Sequence, residues 1–76
     1  MTFGHYLREA RRQRQLPVSQ LAERTGISAA ALFDLECNRR GPSYAEVQRL
    51  ARELSLPEEE VLQRAGMISA HRAHTV

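Results

Sequence analysis

Apolar residues recur along this chain at helical spacing in five short stretches, each bounded by a capping or turn residue. Phe3, Leu7 and Ala10 stand at i, i+4 and i+7, which predicts a helix from about Phe3 to Arg14 with Thr2 as N-cap and Leu16 closing the corner. Leu21 and Ala22 predict a helix over about Val18 to Arg24, ended by Gly26, whose missing Cβ suits the left-handed conformation of a helix C-terminus. Ser28 is a good N-cap for a third helix that buries Leu32 and Leu35 and stops near Asn38, the next-best residue for that conformation. Ser43-Tyr44-Ala45-Glu46 reads as a capping box after Pro42, and Val47, Leu50, Ala51 and Leu54 supply the stripe of a fourth helix. Pro57 opens a fifth, with Glu58, Glu59 and Glu60 in the first turn, where the helix dipole favours negative charge. Val61, Leu62 and Ala65 face inward, Gly66 ends the helix, and Met67-Ile68 continues an apolar strip. The expected organisation is one all-α domain over 1–68 and a frayed tail over 69–76.

Residues 16 to 43 deserve separate attention. They carry two short helices joined by Thr25-Gly26, the layout of a helix-turn-helix that presents its second helix to DNA. That second helix reads Ala29-Ala30-Ala31-Leu32-Phe33-Asp34, without the Arg, Lys, Gln or Asn that ordinarily read base edges.

Composition narrows the classes. A chain of 76 residues is one domain at most, near the size where folding buries only about 60% of the unfolded surface, so an enzyme's cleft is hard to fit. With 42% hydrophobic and 26% charged residues and no long apolar run, the sequence is that of an ordinary globular domain rather than a disordered segment, a membrane span or a secreted precursor. One cysteine excludes an internal disulfide framework, which makes a reducing, cytoplasmic compartment the default. The net charge is +2, unevenly spread: seven Arg against four acidic residues in 1–40, four against five in 41–76. All eleven basic residues are Arg, whose planar fork suits phosphate. The run Arg8, Arg11, Arg12, Arg14 reads equally as a phosphate-facing surface or a solvated helix face.

No nucleophile, base and orienting group occur as a set, so no enzymatic activity is expected. Cys37 lacks the partners of a zinc site and His71-x-x-His74 falls in the expected tail, so neither a metal nor a cofactor is expected. A redox role for Cys37 needs a reactive thiolate, which positive neighbours alone do not establish. Tyr6 and Tyr44 read as packing residues with a wet hydroxyl.

The succession FG-x-x-LR-x-x-R, L-x-x-x-x-LA-x-x-x-GIS, L-x-x-LE-x-x-RR-x-PS and LA-x-x-L closely resembles the phage-repressor and Cro-like helix-turn-helix family, also called the xenobiotic-response-element (XRE) family, over roughly residues 3 to 65. The resemblance implies a five-helix, lambda-repressor-like fold and a dimeric transcriptional regulator or repressor with its third helix in the major groove. It implies an ion pair between Arg11 and Glu36, which removes Arg11 from the DNA contacts, and phosphate contacts from Arg39 and Arg40. The sequence also departs from the family. The N-cap Ser or Thr and the phosphate-binding Gln common at positions 17 and 18 are Pro17 and Val18. Position 29, often Gln or Arg, is Ala; position 33, often small and polar, is Phe; the frequent helix-ending Gly is Asn38.

The expected partner is double-stranded DNA, met by Ser28, Ala29, Ala30, Phe33, Asp34, Arg39 and Arg40, with alanines and phenylalanine on thymine methyl groups and DNA shape supplying further discrimination. Asp34 can accept from cytosine N4 but is repelled by phosphates. A homodimer is expected through Val61, Leu62, Met67 and Ile68. The alternative is a protein-interaction module of the same fold, antitoxin-like or an anti-repressor component, whose apolar third helix docks in a protein partner's groove. Phe33 shares an outward face with Ala29 and Ala30 unless the helix rotates and tucks the ring beneath the first helix.

Overall fold

Each helix starts on a residue that the sequence marks. In the computed structural model, the Thr2 hydroxyl accepts the amide of His5 at 3.2 Å and α1 runs Phe3–Gln13. The α2 helix, Val18–Thr25, starts at Pro17 without a side-chain cap. Ser28 accepts the amide of Ala31 at 3.0 Å and opens α3, Ala29–Glu36. Both halves of the Ser43–Glu46 capping box are present at α4, Tyr44–Glu53, and Pro57 precedes α5, Glu58–Arg64. The structure describes residues 1–68; the expected tail, with His71 and His74, lies outside them. Among the described residues there is no strand, and no helix is long and apolar enough to cross a membrane.

Among the described residues, four of the five helices end in one backbone device. Gln15, Asn38, Ser55 and Gly66 take positive φ, and the next residue turns its N–H back to the carbonyl five positions earlier: Leu16 to Arg11, Arg39 to Asp34, Leu56 to Ala51 and Met67 to Leu62, at 2.8–3.2 Å. This is the Schellman closure, which satisfies carbonyls that the helix leaves open and lays the following side chain over the last turn. Gly26 ends α2 in the same left-handed region, with φ 76°.

The stripes converge on two adjoining clusters. Leu7, Ala10, Leu16, Leu21, Ile27, Leu32, Leu35, Leu50 and Leu54 form the larger; Val47, Ala51, Val61 and Leu62 form the smaller, with Phe3 and Leu56 packed against both. The α3 helix packs on α1 and α2, α4 on α2, and α5 on α4. This is the all-α, five-helix, lambda-repressor-like fold. The α2 and α3 pair around the Gly26 turn forms the helix-turn-helix.

Candidate nucleic-acid interface

Contacts with α1 fix how α3 is held. Gly4 lies against the end of α3 so closely that a Cβ there would stand 2.4 Å from the Glu36 carbonyl oxygen and 2.6 Å from that of Leu35. The Gly4 N–H donates to Asn38 Oδ1 at 2.9 Å, and Asn38 Nδ2 donates to Thr2 Oγ1 at 3.0 Å. Asn38 thus does two jobs, adopting the left-handed conformation at φ 61° and tying the end of α3 to the start of α1. Glu36, only 5% exposed, accepts from Arg11 Nε at 2.6 Å and Nη2 at 3.1 Å, while Arg11 Nη1 donates to the Leu16 carbonyl at 3.0 Å. Arg8 Nε stands 3.8 Å from the same carboxylate. Arg11 and Glu36 therefore hold α3 in place and leave no free charge for a ligand.

The surface that α3 offers is apolar and edged with charge. Ser28 is exposed, its hydroxyl oxygen accepting the capping bond; Ala29 and Ala30 are exposed; Phe33 is 51% exposed and shares their face. The ring is not tucked beneath α1. Arg39 and Arg40, expected at phosphates, are each held by a carboxylate of the chain itself. Arg39 is laid back by the Asn38 reversal, its guanidinium carbon 5.3 Å from the centre of the Phe33 ring and its Nη1 3.5 Å from Asp34 Oδ1. Arg40 is gripped by Glu46, with Nη1 and Nη2 donating to the two carboxylate oxygens at 3.1 and 2.9 Å. The Arg40 hydrogen bond holds the Glu46 carboxyl below its ordinary range, helped by the Ser43 N–H against partial burial.

Away from α3, Val61 and Leu62 are buried in the chain's own core at 2% and 8% exposure, so the apolar surface at that end comes from exposed Met67 and half-buried Ile68. The tyrosine hydroxyls are partnered rather than simply wet. Tyr6 donates to Glu60 Oε2 at 2.8 Å beneath the Arg64 guanidinium, and Tyr44 donates to Glu58 Oε2 at 3.1 Å. Partial burial, then the Glu60 hydrogen bond and charge, push the Tyr6 hydroxyl up to about 12. Among the described residues no group of His, Cys, Asp and Glu is placed to hold a metal ion.

The Gly4–Asn38 tie was not anticipated from the sequence; the FG pair and the missing helix-ending Gly were its only traces. Nor was the second role of Glu46, since a capping box explains that residue completely by itself.

A family described as helix-turn-helix domain matches residues 2–63. An uncharacterized HTH-type transcriptional regulator of Bacillus subtilis (strain 168), RghRB, is 45% identical over 69 residues, 90% of this chain and 50% of its own. The HTH-type transcriptional repressor RghR of the same strain is 41% identical over 68 residues, 88% of this chain and 50% of its own. The immunity repressor protein of Bacillus phage phi105 is 29% identical over 73 residues, 96% of this chain and 51% of its own. The chain spans about half the length of these curated relatives. With its α2 and α3 pair around the Gly26 turn, its Arg11–Glu36 brace and a match over most of its length, the chain belongs to the helix-turn-helix domain family and is XRE-like within it.

Proposed function

We propose that this chain is a DNA-binding transcriptional regulator whose α3 enters the major groove. The observation that carries the reading is the exposed face of Ala29, Ala30 and Phe33, on a helix braced against α1 and edged by Arg39 and Arg40. Regulators and repressors among its relatives support it. Arginines supply the phosphate-directed attraction, and small apolar side chains meet thymine methyl groups. Electrophoretic shift with genomic fragments at several salt concentrations tests it. The expected result is affinity that falls linearly with salt on logarithmic axes, and the absence of any salt-dependent shift refutes it.

Arg40 is the phosphate contact in this reading. Arg40→Ala weakens binding to every sequence alike and lowers the salt slope by about one unit. A change of sequence preference at constant slope overturns that role. Glu46→Gln, which releases the fork, strengthens binding to all sequences.

The regulator acts as a symmetric homodimer joined at the Met67–Ile68 end of α5, with two α3 helices about 34 Å apart, one turn of DNA. Sedimentation of the free protein and of its DNA complex decides this; a monomer in both refutes it. The competing reading, a protein-docking module, draws on the same 51% exposed Phe33. It predicts loss of a protein partner, with DNA binding unchanged, in Phe33→Ala.

A further inference from the structure

The exposed face of α3 itself offers no side chain able to donate two hydrogen bonds to a base, and the loop that follows supplies one. We propose that Arg39 is a base reader, donating both arms of its guanidinium to O6 and N7 of a guanine, while Asp34 accepts from N4 of the paired cytosine and Phe33 meets a thymine methyl on the adjacent pair. This rests on the DNA-binding reading and adds the base that the site selects.

Three observations position Arg39. Its N–H closes α3 on the Asp34 carbonyl at 2.8 Å, which turns the chain back so that the side chain lies over the last turn of α3 instead of reaching out toward a strand. Its guanidinium then rests on Phe33, the residue that shares the base-facing surface with Ala29 and Ala30. The attraction between the cation and the aromatic face restricts the side chain's rotamers before DNA arrives. Lastly, Asp34 engages only Nη1, loosely at 3.5 Å, leaving the fork open to two acceptors.

The open fork separates the neighbouring arginines. Both stand beside a carboxylate, but the Arg40 fork is filled by two carboxylate oxygens at 3.1 and 2.9 Å and has neither arm free for a base edge. Asp34 holds Arg39 through one arm alone, at 3.5 Å. A G·C pair suits this arrangement, presenting two acceptors on guanine and one donor on cytosine in the major groove. An arginine and an aspartate side by side complement that edge with little net charge. The half of the Phe33 ring left uncovered by the molecule's own packing is the surface for the neighbouring methyl.

Selection from random DNA with the purified protein, followed by titration of single-base variants of the selected site, tests this. The expected site holds a G·C pair beside an A·T pair in each half. Changing the guanine, or replacing it with 7-deazaguanine, weakens wild-type binding about tenfold or more, the range of one good bidentate contact. Arg39→Ala, at a side chain 65% exposed, keeps its fold, becomes indifferent to 7-deazaguanine and keeps only the part of the penalty for changing the guanine that Asp34 imposes through the paired cytosine. If Arg39→Ala retains the full guanine preference and weakens all sequences alike, Arg39 is a phosphate contact and the proposal is overturned. DNA retained without any enriched guanine overturns the proposal alone. No retained DNA at any salt concentration overturns the DNA-binding reading together with it.

Discussion

Removing Arg11 should cost more than removing its partner Glu36, and the difference follows from what each leaves behind. In Arg11→Met the Glu36 carboxylate stays 5% exposed, with Arg8 Nε at 3.8 Å as its remaining cation. Breaking a buried pair in this way costs roughly 3–5 kcal/mol, because the surviving charge lacks both water and counter-charge. A domain of this length has on the order of 4–11 kcal/mol in total at about 0.05–0.15 kcal/mol per residue, so the variant loses a large part of its stability. In Glu36→Leu the guanidinium keeps its bond to the Leu16 carbonyl and, at 14% exposure on a long stem, swings its charge toward solvent. That loss should be smaller, about 1–3 kcal/mol, because water replaces the two lost carboxylate bonds and no charge is left buried and unpaired. The double variant, with no charge left to strand, recovers most of the Arg11→Met loss. Urea unfolding of all four proteins, followed by helical circular dichroism, gives the cycle. Arg11→Met within about 1 kcal/mol of wild type, or a double variant as unstable as Arg11→Met, refutes the reasoning.

Gly4→Ala gains up to about 1 kcal/mol of helix propensity, yet its Cβ meets backbone oxygen at 2.4 Å, so α1 must move off α3. Thermal unfolding should show a net loss of about 1–3 kcal/mol; an unchanged or raised Tm would mean that the helix crossing yields easily. Phe33→Ala should stay within about 1 kcal/mol of wild type, because the half-exposed ring has little transfer energy to lose, whereas a buried phenylalanine costs roughly 3–5 kcal/mol. Calorimetry distinguishes the two. Tyr6 titrates at about 12 in the fold against 10.0 ordinarily, so its hydroxyl contributes stability in full below pH 10 that is lost as pH rises through about 12. Comparing Tm at pH 9 and pH 11.5, the fall should be smaller in Tyr6→Phe; an equal fall assigns the alkaline loss to other groups, Tyr44 among them.

The helices were legible because their signals are local. A Ser or Thr hydroxyl three residues before an amide, a proline ahead of a first turn, or a Gly or Asn after a last one is a relation among neighbours, decided by chain geometry before any tertiary contact forms. The periodic leucines likewise determined which faces become core, since a fixed helical repeat translates spacing directly into direction. The apolar character of the α3 face belongs with these, being written in Ala29, Ala30 and Phe33. The rest depends on how separate elements meet. Asn38 marks a helix end by itself, but its bond to Gly4, 34 positions earlier, exists only because α1 and α3 cross at backbone contact. Arg40 and Glu46 are two charges on one stretch of chain until the turn at Gly41 and Pro42 brings them within 2.9 Å. Arg39 reads as one more basic residue past a helix; the Schellman reversal lays it on Phe33 and beside Asp34, so its direction, and with it the chemistry it presents, was decided by tertiary packing.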